Sequence, residues 1–188
     1  MAFVGLVGSG KTTIAKELAR YIGGTVVSSD AIRVILRKRK GDYADVRDIA
    51  VAAAAEVIQR GGNAILESDH VDAKKRRTLE RTAKMVGARV FYVRVCTNLD
   101  VMLGRVLKDR EPDPFFAGAS SLWQGREKPK VIKLRELIRR LPHHYRWESK
   151  NSGAWFARAL PIPFVATLNA SDDHTWRDQV KKLAARIG

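Results

Sequence analysis

Four residues near the start of the chain are spaced to act together on one anion. Within GLVGSGKT, Gly5, Gly10, Lys11 and Thr12 fit the pattern Gly-x4-Gly-Lys-Thr, and Gly8 adds a further glycine. Glycines let the backbone curl so that successive N–H groups converge on phosphate oxygens. Lysine at this place reaches the β- and γ-phosphates, and a hydroxyl directly after it can hold Mg²⁺. The pattern therefore predicts a nucleoside triphosphate site made by Gly8, Ser9, Gly10, Lys11, Thr12 and Thr13, with Mg²⁺ held beside the phosphates.

A phosphate holder becomes a transfer site only if an acceptor can be held and deprotonated. Ser28-Ser29-Asp30-Ala31-Ile32-Arg33 offers both groups. A carboxylate at Asp30 can take the proton of an attacking hydroxyl, and Arg33, one helical turn on, shares its face and can clamp an anion. The pair could equally be an N-cap and a surface charge. Further on, Leu66-Glu67-Ser68-Asp69-His70 places two carboxylates, Glu67 and Asp69, where a metal ligand is expected; His70 reads as a loop residue. Arg105 and Arg110 fall near the end of a helix, where they could neutralise charge on a phosphoryl group in transfer.

The elements that must carry these residues follow from periodicity. AFVGL runs straight into the glycine loop as a buried strand, and Ile14, Leu18 and Ile22 give the next segment, 11–22, one apolar helix face. TVVSS is a second strand, with Asp30 opening a helix as its N-cap. A helix over 45–60 is read with Val46, Ile49, Ala50, Ala53 and Val57 inward. A strand over 63–68, a helix over 72–86, a strand over 88–95 and a helix from 98 to about 110 follow. The stretch 111–121 breaks the rhythm with two prolines and a glycine. A helix over 128–141 is expected to bury Val131, Leu134, Ile138 and Leu141 and to stop at Pro142. Residues 143–159 carry no readable pattern; PFVATLNAS and a helix over 173–187 complete the chain. Strands alternating with helices predict an α/β fold whose parallel sheet is covered on both faces.

Composition bounds the partners. The 188 residues carry 35 Lys and Arg against 20 Asp and Glu, a formal charge of +15 that favours a polyanion such as nucleic acid. The basic residues gather at 33–40, 74–77 and 126–140. No apolar run approaches the roughly 20 residues of a membrane span, so no membrane partner is expected. Cys96 is the one cysteine, which suits a reducing compartment and a cytoplasmic location. No Asn-Lys-x-Asp stretch of the kind that reads guanine occurs.

Taken in order, GLVGSGKT, VVSSDAIR, AILESDHVDAKKRRTLERTAKMVGARVFYVRV and the helix with two arginines resemble the P-loop kinases related to polynucleotide 5′-kinases, over roughly residues 2–110. The resemblance implies a P-loop NTPase fold with a parallel five-stranded sheet covered by helices, in one kinase domain over 1–188. It implies a lid at about 105–125, whereas the basic helical segment at about 126–141 is read from charge and periodicity alone. The resemblance also implies γ-phosphate transfer from ATP to a 5′-hydroxyl of RNA or DNA, Asp30 as general base, Arg33 as ligand of an acceptor phosphate, and Arg105 or Arg110 as a lid arginine. Departures exist: the family often has Asp-Ala-Thr-Asn where this chain has Glu67-Ser68-Asp69-His70, and its lid arginines are commonly four apart rather than five. Two other readings stand beside it, a kinase of the same fold acting on a sugar, nucleoside or antibiotic, and a non-catalytic ATP-dependent nucleic-acid-binding module.

Overall fold

Three consecutive apolar residues, Ala2–Val4 (β1), are fully buried because this strand lies between two others and under helices on both faces. The computed structural model describes residues 1–108, 129–149, 153–172 and 174–187. Side chains alternate across a strand, so Ala2 and Val4 enter one core and Phe3 the other. Phe3 packs with Ile14, Ala15 and Leu18 of α1 (Lys11–Ile22) and with Val180 and Leu183 of α7 (Trp176–Ile187). Ala2 and Val4 pack with Ala50, Val51 and Ala54 of α3 (Val46–Gln59) and Leu79 of α4 (Ala73–Met85).

The main sheet has five parallel strands in the order β2 (Gly24–Val27), β3 (Asn63–Leu66), β1, β4 (Tyr92–Cys96) and β7 (Phe164–Asn169). This is the α/β P-loop arrangement expected. Strand β3 is inserted between β1 and β2, so the chain leaving β1 departs beside the end of β3. A crevice at such a strand reversal, beyond the carboxyl ends, is where open α/β sheets bind ligands. Helix α2 (Ser29–Lys38) follows β2, and a short 3-10 turn at Tyr43–Asp45 leads into α3.

Helix phases differ from the sequence reading in two places. On α3, Val51 and Ala54 are buried, whereas Ile49 is 39% exposed and Ala53 faces water. On α6 (Pro129–His144), Ile132, Leu137 and Leu141 are buried, while Val131 and Ile138 are exposed. The rotation of α6 follows from its polar contacts, because Arg140 and His144 must face the sheet to meet Asp69. Pro142 does not stop this helix as expected. It lies in the last turn, where its missing N–H costs one bond to Ile138. The final carbonyls are instead taken by Arg158, whose guanidinium donates to Pro142 O and whose backbone N–H donates to His144 O, and by Arg94, which also reaches His144 O. Helix α5 (Leu99–Lys108) follows β4, and α6 runs into an antiparallel hairpin, β5 (Tyr145–Glu148) and β6 (Ala154–Ala157), that the sequence pattern did not disclose.

Candidate active site

The loop between β1 and α1 needs backbone that only glycine adopts comfortably. Gly8 has φ of 78°, and a Cβ there would lie 2.9 Å from Met102 O. Gly10, with φ of 90°, is the N-cap of α1 and supplies no side chain to its first turn. No acidic residue occupies that turn either. The uncapped N–H groups and the positive end of the helix dipole are therefore left for an external anion. Thr12 and Thr13 are exposed at this end.

Lys11 Nζ folds back to donate to Leu6 O at 2.6 Å. Its burial pushes the ammonium pKa down, and the carboxylates of Asp69, Asp30 and Glu67 pull it up in that order. Three candidate acids from two different strand ends are thus gathered about the lysine. Ser9 is buried with its Oγ unpartnered among the described residues, and its carbonyl accepts a 2.9 Å bond from Thr97 Oγ1.

Asp30 sits in the first turn of α2, but Ser28, not Asp30, is the N-cap: its side chain accepts from Ala31 N. That frees Asp30 from backbone duty. Arg33 Nη1 donates to Asp30 Oδ1 at 2.6 Å, which confirms the shared face. The carboxylate is half exposed, and two oxygens offer about four acceptor sites, so one arginine contact leaves room for an incoming hydroxyl.

Glu67 and Asp69 part company. Glu67 is buried with Oε2 unpartnered among the described residues, a costly state that a cation or its hydration water would relieve. Asp69 is committed to the protein. Its Oδ1 accepts from Gly5 N at 3.2 Å and Val71 N at 3.3 Å; its Oδ2 accepts from Arg140 Nη1 at 2.9 Å and stands 3.0 Å from His144 Nε2. Burial alone would raise its pKa, yet the His144 hydrogen bond and the charges of His144, Lys11 and Arg140 hold the carboxyl far below the usual range. Asp69 therefore reads as an anchor joining the glycine loop, β3 and α6. Thr12 and Glu67 are the side chains whose chemistry suits Mg²⁺, an ion that keeps several waters and shares phosphate oxygens. Among the described residues no group of three or more His, Cys, Asp or Glu side chains could hold a metal ion. His70, as expected, serves the loop: its Nδ1 lies 2.7 Å from Ser68 O.

Arg105 reaches the site from α5. Its Nη2 donates to Ala170 O at 2.8 Å, and its Nη1 lies against Gly10. Arg110 and most of the expected lid lie outside the described residues. Four contributors escaped sequence reading: Arg140, His144, Thr97 and Tyr145. The Tyr145 hydroxyl donates to Thr97 O at 2.9 Å and accepts from Thr97 N at 3.1 Å, bracing the residue that holds Ser9. Arg140 and His144 are four apart on the apolar face of α6, a signal hidden by reading Pro142 as the helix end.

Residues 1–128 match the family described as AAA domain. Among solved structures, the chain is similar to a candidate kinase from Chloroflexus aurantiacus, at 17% identity and TM-score 0.67, covering 100% of this chain and 97% of that one. It is similar to Chaetomium thermophilum Kti12 in complex with ADP-AlF3, at 18% identity and TM-score 0.61, covering 100% and 98%. It is also similar to a gluconokinase from Sinorhizobium meliloti 1021, at 15% identity and TM-score 0.55, covering 99% and 91%. At these identities the likeness shows the fold, a P-loop kinase-like one. No curated protein matches the chain.

Proposed function

Since the chain belongs to the AAA domain family and carries the P-loop kinase fold, we propose that it is an ATP-dependent kinase whose acceptor is the 5′-hydroxyl end of RNA or DNA. The observation that carries the transfer reading is the Asp30–Arg33 pair at 2.6 Å, held at the end of β2 with Asp30 close enough to Lys11 to act on its charge. ATP bound with Mg²⁺ supplies the electrophilic γ-phosphorus and its leaving group. The residues do the rest. The N–H groups of Gly8 to Thr13 and the Lys11 ammonium hold the phosphates, and Arg105, against Gly10, faces the same loop. Thr12 and Glu67 would hold the metal. Asp30 accepts the proton of the attacking hydroxyl, and Arg33 exchanges part of its bond to Asp30 for the acceptor's anion.

Charge supports a polyanionic acceptor. Lys75 of α4 is lowered in pKa by burial and then by the nearby charges of Arg140 and Arg47. Arg47 of α3 and Arg140 of α6 thus act on Lys75 of α4 as like charges, a repulsion that a bound polyanion would relieve. The gluconokinase likeness keeps a small-molecule acceptor as the second reading. Salt separates the two: affinity for an oligonucleotide should fall steeply with log[salt], and affinity for a neutral sugar hardly at all. The direct test incubates the protein with labelled ATP and a panel of 5′-hydroxyl oligonucleotides, nucleosides and sugars. Label on an oligonucleotide end supports the proposal; label on a sugar or nucleoside alone overturns it.

A further inference from the structure

The hairpin that follows α6 has no part in the phosphate site, yet it is joined to it. Its first residue, Tyr145, is buried and bonded to Thr97, which in turn bonds the carbonyl of Ser9 in the glycine loop. Beyond Tyr145 the hairpin turns outward, and all of β6 is exposed. Strand register sets Trp147 opposite Trp155 and Arg146 opposite Phe156. The two indoles meet edge to face, with centroids 5.6 Å apart and planes at 65°.

Large aromatics normally carry much of a domain's buried apolar surface, and here three on one hairpin are left partly in water. Trp147 is 54% exposed, Trp155 36% and Phe156 48%. The paired indoles lie on one face of the hairpin and Phe156 on the other, so both faces offer ring surface. The charge around them is positive. Arg146 and Arg158 lie on and just after the strands, with Arg146 paired to Glu148. Helix α6, which leads into the hairpin, carries Lys130, Lys133, Arg135 and Arg139 against the single acid Glu136, while its Arg140 is turned inward to Asp69. Aromatic faces bordered by cations suit unpaired bases on a phosphate backbone, whose two halves need those two kinds of contact. An apolar protein partner would match the rings but not the charge.

We propose that the β5–β6 hairpin is a stacking platform for single-stranded nucleic acid, with Trp147 and Trp155 receiving bases and the α6 basic residues following the backbone. For its link to catalysis this rests on the nucleic-acid-acceptor reading, in which the nucleotides that follow the reacting 5′ end need a surface of their own. The binding claim stands on the hairpin itself.

The test measures binding rather than turnover. A 3′-fluorescein oligo(dT) or oligo(U) of about a dozen nucleotides, already phosphorylated at its 5′ end, is titrated without ATP, and anisotropy gives the affinity. Trp147→Ala with Trp155→Ala should weaken binding about five- to a hundredfold per base stacked, with ATP binding and the salt slope unchanged. Trp147→Phe with Trp155→Phe should retain most of the affinity but lose the quenching of tryptophan emission that the oligonucleotide causes. This second pair keeps the proposal exposed if the alanine hairpin unfolds. Undiminished affinity in the alanine pair, undiminished quenching in the phenylalanine pair, absence of oligonucleotide binding, or equal binding of polyglutamate would each overturn it. The two proposals fail separately. Phosphorylation of an oligonucleotide with no effect of the tryptophans removes the platform alone, whereas tryptophan-dependent binding without phosphorylation of a 5′-hydroxyl end removes the acceptor reading alone.

Discussion

Replacing Asp69 with Asn should destabilise the fold by about 3–5 kcal/mol, the usual cost of breaking a buried charge pair from one side. The structure explains why an amide cannot substitute. Oδ1 accepts two backbone N–H bonds and Oδ2 faces the Arg140 guanidinium and the His144 imidazole. Whichever way the amide is turned, its NH₂ meets donors, and the charge that Arg140 faces is gone. For a chain of this length the loss corresponds to a fall in Tm of roughly 6–20 °C. Urea unfolding at neutral pH measures the first quantity and thermal melting the second. The variant should also change the acid limb of stability. Because the folded pKa of Asp69 is depressed below an unfolded value near 3.9, its contribution is complete above the ordinary carboxylate range. It is lost as pH falls through that range toward the folded pKa. The wild-type protein should therefore lose stability more steeply than Asp69→Asn as pH falls below about 5. A variant within about 1 kcal/mol of wild type, with a parallel acid limb, would refute the anchor.

Three other outcomes follow from the site. Gly8→Ala combines a left-handed φ of 78° with a contact of 2.9 Å to Met102 O, so ATP affinity measured by calorimetry should collapse. Tyr145→Phe removes both bonds to Thr97; a cost of about 1–3 kcal/mol in urea unfolding is expected, with weaker ATP binding because Thr97 braces Ser9. Glu67→Gln keeps the shape and removes the charge, and should raise the Mg²⁺ concentration needed for half-maximal ATP binding without lowering the metal-free melting temperature.

Legibility in the sequence followed how local the controlling physics was. The glycine loop could be read because its conformational demands and its ligand both act within eight residues, and the structure repeats that reading down to the uncapped start of α1. The parallel five-stranded sheet could be read because buried strands and amphipathic helices alternate regularly. Asp30 and Arg33 were legible as a pair because one helical turn fixes their spacing. Asp69 was not legible as an anchor, since its partners Arg140 and His144 lie 71 and 75 residues away. The phase of α6 failed for the same reason: apolar periodicity alone chose Val131 and Ile138, while a long-range ion pair turned the helix the other way. The hairpin stayed hidden because each of its strands is only 4 residues long: β5, Tyr-Arg-Trp-Glu, alternates too briefly to stand out after a helix, and β6, Ala-Trp-Phe-Ala, does not alternate at all.

Whether Asp30 converts a triphosphate holder into a transferase is tested by single-turnover phosphorylation of a 5′-hydroxyl oligonucleotide with Asp30→Ala. The variant should react about 10²–10⁴-fold more slowly with ATP binding preserved. A rate close to that of the wild-type protein would contradict it.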